Sequence, residues 1–122
     1  SWVWIEGDQR TGTVHTVRCV DLPLNSAGYM IASRTAINVN MPGGSLGRLC
    51  LGGAGRYVNA VQSSGASGTY ATSVFPWNIP QPLGFVSAAP GETWLFQYWH
   101  RDAVGGIPVS NFSNAARMMF LP

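Results

Sequence analysis

The chain of 122 residues has the length of one domain and is read as a single unit, 1–122; with only 10% charged residues it lacks the charged solvent face of an amphipathic helical protein. Its cations are all arginine (Arg10, Arg18, Arg34, Arg48, Arg56, Arg101, Arg117), dispersed against five carboxylates for a net charge of +2, so the basic patch of a nucleic-acid binder is missing. The lack of lysine excludes Schiff-base and P-loop chemistry, and no apolar run reaches the roughly 18–20 residues that cross a bilayer.

Strand-like runs recur along the chain at 1–6, 11–22, 28–33, 46–51, 56–63, 68–74, 84–88, 92–102 and 115–121, each bounded by Gly, Pro, Asn or Ser. The first places Trp2 and Trp4 on one face and Val3 and Ile5 on the other. Turns are expected at Gly7-Asp8, Asn25-Ser26, Pro42-Gly43-Gly44, Gly52-Gly53-Ala54-Gly55, Ser63-Ser64-Gly65, Pro90-Gly91 and Gly105-Gly106. In Trp94 to Asp102 the alternation puts Trp94, Phe96, Tyr98 and His100 on one face, with Leu95, Gln97, Trp99 and Arg101 on the other. Both faces are rich in apolar side chains, as in a central strand covered on both sides. No 3.6-residue apolar period stands out, and eight or nine short strands point to an all-β antiparallel sandwich, jelly-roll-like. A Gly/Pro connection is expected between Asp102 and the Asn111-Phe112-Ser113 segment, and that segment reads as a turn whose side chains bond to backbone.

Catalytic constellations are weakly signalled. No G-x-S-x-G elbow is present, the only histidines are His15 and His100, and a triad through Asp102 has no motif behind it. His15 and His100 are the only imidazoles that could anchor a metal, and neither has ligands at metal-site spacing. A calcium loop at Asp8 or Asp21 lacks the D-x-D-x-D-G pattern, and no paired carboxylates mark a glycoside hydrolase. No cofactor is implied. Cys19 and Cys50 lie in separate strand-like runs and are either bridged or two free thiols. Flat aromatics are the better candidates for ligand contact, because they stack on sugar rings with little ordering cost. Trp77 leads, held between Pro76 and Pro80, followed by Tyr57, Tyr70, Trp2 and Trp4. Gln97, Trp99, Arg101, Asp102 and Asn111 are read as structural, with Arg101 capping neighbouring carbonyls or pairing with a carboxylate.

Four ordered segments carry a resemblance: Leu22-Pro23 to Gly28-Tyr29, Leu49-Cys50-Leu51-Gly52-Gly53, Pro90-Gly91-Glu92-Thr93-Trp94 through Arg101-Asp102, and Asn111-Phe112-Ser113. Across about residues 20 to 121 the chain resembles a β-sandwich module at the C-terminal end of large secreted proteins of planctomycete- and myxobacterium-like bacteria. The resemblance implies a secreted, non-catalytic module and carries no established site residues. His100 stands where that pattern has Tyr or Phe, and the late cysteine that often partners the LCLGG cysteine is missing. On the resemblance, either Cys19 takes its place beside Cys50, or Cys50 is unpaired. The first residue, Ser1, with no signal peptide before it, reads as the start of a mature product or an excised domain.

The expected function is a non-catalytic binding or attachment module, secreted or on the cell surface, whose partner is a polysaccharide or cell-surface component. One alternative is a self-assembling structural domain associating through edge strands. The other is a small secreted metal enzyme using His15 and His100.

Overall fold

A computed structural model describes residues 1–40, 45, 47–104 and 107–122. It is all-β and antiparallel, built as two packed sheets with two added hairpins. The smaller sheet has the order β1 (Trp2–Glu6), β2 (His15–Val20), β8 (Tyr70–Val74). The larger is centred on β3 (Ala27–Ser33) and β11 (Thr93–Val104). Along β3 lie β6 (Gly55–Arg56) and β7 (Gln62–Ser63), end to end. Along the far side of β11 lie β12 (Ile107–Phe112) and β13 (Ala116–Met119). β11 is 12 residues long, about 40 Å of extended chain, so it takes two partners in succession. Ser113 sits between them, its N–H donating to the Tyr98 carbonyl at 2.9 Å while its hydroxyl accepts from the Tyr98 N–H.

Period-two alternation decides what is buried. Val3, Val17, Cys19, Tyr70 and Val74 of the small sheet meet Met30, Ala32, Trp94, Phe96 and Tyr98 of the large one, with Met118 and Phe120 closing an end. The chain changes sheets between β2 and β3, between β7 and β8, and again between β8 and β11, jelly-roll-like crossings. The Tyr98 hydroxyl reaches across, donating to the Val17 carbonyl at 2.8 Å and lying 2.6 Å from the Thr72 hydroxyl.

The outer face of the large sheet is partly covered by a hairpin of β4 (Thr35–Asn40) and β5 (Arg48–Gly52). Gln97, fully buried, holds it there. Its amide N–H groups donate to the carbonyls of Arg48 (2.8 Å) and Ser113 (2.7 Å), and its carbonyl accepts from the Cys50 N–H at 3.1 Å. A second hairpin, β9 (Ile79–Gln81) and β10 (Gly84–Val86), plugs the core with Ile79 and leaves Phe85 outside.

Thirteen strands are described, more than the eight or nine expected. β4 has all six residues exposed, so it carries no alternation to read. β9 contains Pro80 and falls outside the expected runs. The Gly/Pro connection after Asp102 is instead a hairpin arm: β11 runs on to Val104 and returns as β12, with Asp102 opposite Val109. Asn111 and Phe112 consequently belong to a strand, and only 113–115 form the link to β13. The run 56–63 is broken into β6, a 3-10 turn Val58–Ala60, and β7. The turns expected at Pro42-Gly43-Gly44 and Gly105-Gly106 lie outside the described residues.

Candidate functional site

The outward-facing residues of β8, Ala71 and Ser73, are small, and past the strand end the same parity brings out Phe75. The chain then turns tightly, the Asn78 N–H donating to the Phe75 carbonyl at 2.9 Å. This turn holds Trp77 at its apex, and the Ser87 hydroxyl donates to the Trp77 carbonyl at 2.9 Å. The rings of Phe75 and Trp77 pack at 5.6 Å between centroids, inclined at 58°. Beside them runs a groove of about 410 Å³ walled by Tyr57, Val58, Phe75, Pro80 and Phe85, with Ala71 and Ser73 beneath and Arg56 at its margin. Trp77 is 49% exposed and Phe85 63%. The groove's lining holds one cation, no carboxylate and no histidine. Asn59, Asn78 and Ser73 add polar groups to its lining.

Of the aromatics expected to contact ligand, Trp77 and Tyr57 fall at or beside this groove. Tyr57 contributes its ring to the wall, while its hydroxyl is buried with no hydrogen-bond partner among the described residues. Burial holds that phenol well above its usual range. Tyr70 is corrected: it lies in the core between the sheets, its ring 5.2 Å from Tyr98 and its hydroxyl donating to the Ser26 carbonyl at 2.7 Å. Inward alternation on β8 puts it there. Trp2 and Trp4 are on β1. Trp2 is exposed, and Trp4 donates to a Glu6 carboxylate that also takes Arg18 at 2.6 Å. Those bonds hold the Glu6 carboxyl below its usual range, the Arg18 contact first. The wall residues Val58, Phe75 and Phe85 were not foreseen. The apolar tip Pro82-Leu83 ahead of Phe85 was the available signal, because an apolar hairpin end seldom faces water without reason.

The weak metal candidates His15 and His100 do not converge. Both face the core, but His15 lies opposite Val74 at one end of β2 while His100 is opposite Gly28, near the Tyr70 end of the small sheet. Four residues of strand, about 13 Å, separate those ends of β2. His15 packs edge-on against Phe120 at 5.8 Å, and Asp8 lies 3.6 Å from its Nε2. His100 is buried beside the Arg101 carbonyl, and burial lowers its pKa. Among the described residues, no three His, Cys, Asp or Glu side chains gather as a metal set.

The cysteine alternatives resolve to two free thiols. Cys19 is in the inter-sheet core, whereas Cys50 belongs to the hairpin strand β5 on the outer face, its N–H bonded to Gln97, so the large sheet stands between them. Burial pushes the Cys19 thiol up to about 11. Among the residues read as structural, Gln97 fixes backbone as expected. Arg101 departs from expectation: its guanidinium lies 5.1 Å over the Trp99 ring. Asn111 donates to the Asp102 carboxylate at 3.3 Å and accepts from the Phe112 N–H at 2.8 Å.

No protein-family model matches the chain, and no curated protein or solved structure does either.

Proposed function

We propose that this domain is a non-catalytic attachment module of a secreted or cell-surface protein, binding a polysaccharide or cell-surface glycan in the groove beside Trp77. The observation that carries the reading is the exposure of three rings: Phe75 at 43% and Phe85 at 63% in the groove's wall, and Trp77 at 49%, packed on Phe75. Rings left in water beside a shallow apolar groove gain by stacking on the C–H face of a sugar. The tight turn and the Ser87 bond keep Trp77 in place, so little ordering is lost on binding. The sequence resemblance to C-terminal modules of secreted bacterial proteins agrees with this reading.

The test is retention of the wild-type chain, Trp77→Ala and Phe85→Ala on a panel of insoluble polysaccharides. Wild type is retained on at least one, and each substitution weakens retention about tenfold or more, the loss of a stacked ring. A wild type that binds nothing, or variants that bind equally well, removes the reading.

A second reading, self-assembly, rests on β4. Its six exposed residues carry no charge and no proline, the devices that usually protect a strand edge. A monomer by light scattering at high concentration counts against it.

A further inference from the structure

The outer face of the large sheet holds a second groove, on the far side of Arg56 from the first. The β4–β5 hairpin covers this face only in part, leaving a space of about 430 Å³ lined by Tyr29, Ile31, Leu49, Leu51, Trp99 and Phe112. The floor follows from register: Trp99 is opposite Tyr29, and Gln97 opposite Ile31. The two rings of the first pair pack at 5.1 Å.

One guanidinium, Arg56, lines the groove, and a second, Arg101, lies at its margin by its stack on Trp99. Arg56 pairs with Ile31 in the ladder and so shares its face. Arg101 is two residues past Trp99, on the same face, with its guanidinium 5.1 Å over the indole. Arg10, Arg18 and Arg34 are paired with Asp8, Glu6 and Glu92, but neither Arg56 nor Arg101 has an ion pair among the described residues. Alternation turns Asp102, the next carboxylate along β11, to the opposite face, where it takes the Asn111 amide. The outer groove is consequently a largely apolar floor with Arg56 in its lining and Arg101 at its margin, neither ion-paired among the described residues. Arg101 is already ordered by its stack, so its remaining N–H donors are presented in a fixed fork.

We propose that this outer groove binds an acidic saccharide: a pyranose ring laid on the partly exposed rings of Tyr29, Trp99 and Phe112, its anionic group taken by Arg56 or Arg101. The site is separate from the groove beside Trp77, and the inference does not depend on that groove binding anything. A uronate carboxylate and a sulfate ester supply the same chemistry, and the probes distinguish them.

Calorimetry on the 122-residue chain with oligogalacturonate, a sulfated oligosaccharide and neutral cellotetraose tests this, using wild type, Arg101→Gln, Arg56→Gln and Trp77→Ala. Both arginines are exposed, so the variants keep the fold, which a thermal melt verifies. At least one acidic probe binds, its affinity falls with added salt, and Arg101→Gln weakens it roughly tenfold or more. Trp77→Ala leaves that affinity unchanged, and cellotetraose does not compete for the site. Binding by the carboxylate or the sulfate probe alone identifies which anion the groove takes. Acidic probes that fail to bind the folded wild type, or that bind Arg101→Gln as tightly, overturn the proposal. So does a dimer that Arg101→Gln dissociates, since a second copy would then occupy the groove. Loss of binding in Trp77→Ala but not in Arg101→Gln overturns it while leaving the first groove intact.

Discussion

Gln97 shows how one polar side chain can lock two layers together. It is fully buried, and its amide group satisfies two carbonyls and one N–H drawn from β5 and the link before β13. Leucine at this position removes all three bonds, and each buried group left unpaired costs about 1–3 kcal/mol. Gln97→Leu is therefore expected to lose roughly 3 kcal/mol or more of stability in urea denaturation. A loss under about 1 kcal/mol would mean that water or a shifted hairpin satisfies those groups.

His100 makes the fold sensitive to acid. Burial lowers its pKa from the ordinary 6.5, while the Arg101 carbonyl and Asp102 oppose the shift. A group harder to protonate folded than unfolded contributes stability that is complete above the unfolded pKa and is lost as pH falls through the folded one. Urea midpoints are accordingly expected to hold steady above about pH 6.5 and to decline below it. In His100→Phe, the share of the decline due to this group disappears. Equal declines in both proteins would assign the acid sensitivity to other groups.

Among the elements, β6 shows how closely backbone packs against backbone. A Cβ at Gly55 would overlap the Pro80 carbonyl and the Gln81 backbone of β9. Neither is a flexible side chain that can move aside, so Gly55→Ala is expected to cost about 1–3 kcal/mol by separating β6 from β9. A melting temperature equal to that of wild type would contradict this packing.

Legibility at this scale followed alternation. Tyr70–Val74 and His15–Val20 each bury every second residue, and both were readable as strands. The apolar residues on both faces of Trp94 to Asp102 marked β11 as central, and it is flanked by β3 on one side and β12 and β13 on the other. Thr35–Asn40 was not readable, because a hairpin strand with every residue exposed has no buried face to pattern. Ile107–Phe112 was hidden by Pro108, which an edge strand tolerates and a central one does not. At the candidate site, the flanking prolines gave away Trp77. The run 84–88 is too short to show which face Phe85 takes, and the β9–β10 hairpin buries Ile79 and leaves Phe85 exposed.

Across the whole molecule, the large sheet divides the chemistry in two. Cys19 lies on its core side and Cys50 on its outer side, which no spacing in the sequence could reveal. With the Cys19 thiol buried and held up to about 11, a thiol reagent near neutral pH is expected to label Cys50 alone in the folded protein. Both react after unfolding, and a reducing agent leaves the melting temperature unchanged. Native labelling of neither thiol, with a melting temperature that falls on reduction, would mean a bridge. The two grooves are likewise on different surfaces, one over the small sheet's edge and one on the large sheet's outer face, with Arg56 lining both.

Glycan binding beside Trp77 is tested most directly by amide and indole chemical-shift mapping. The labelled chain is titrated with soluble oligosaccharides of any polysaccharide that retains it. The expected result is a shared saturation curve for the Trp77 indole N–H and the amides of 56–60 and 84–86, with the core strands unmoved. Shifts that spare Trp77 and these two segments, or no saturable shift with any retaining polysaccharide, would contradict it.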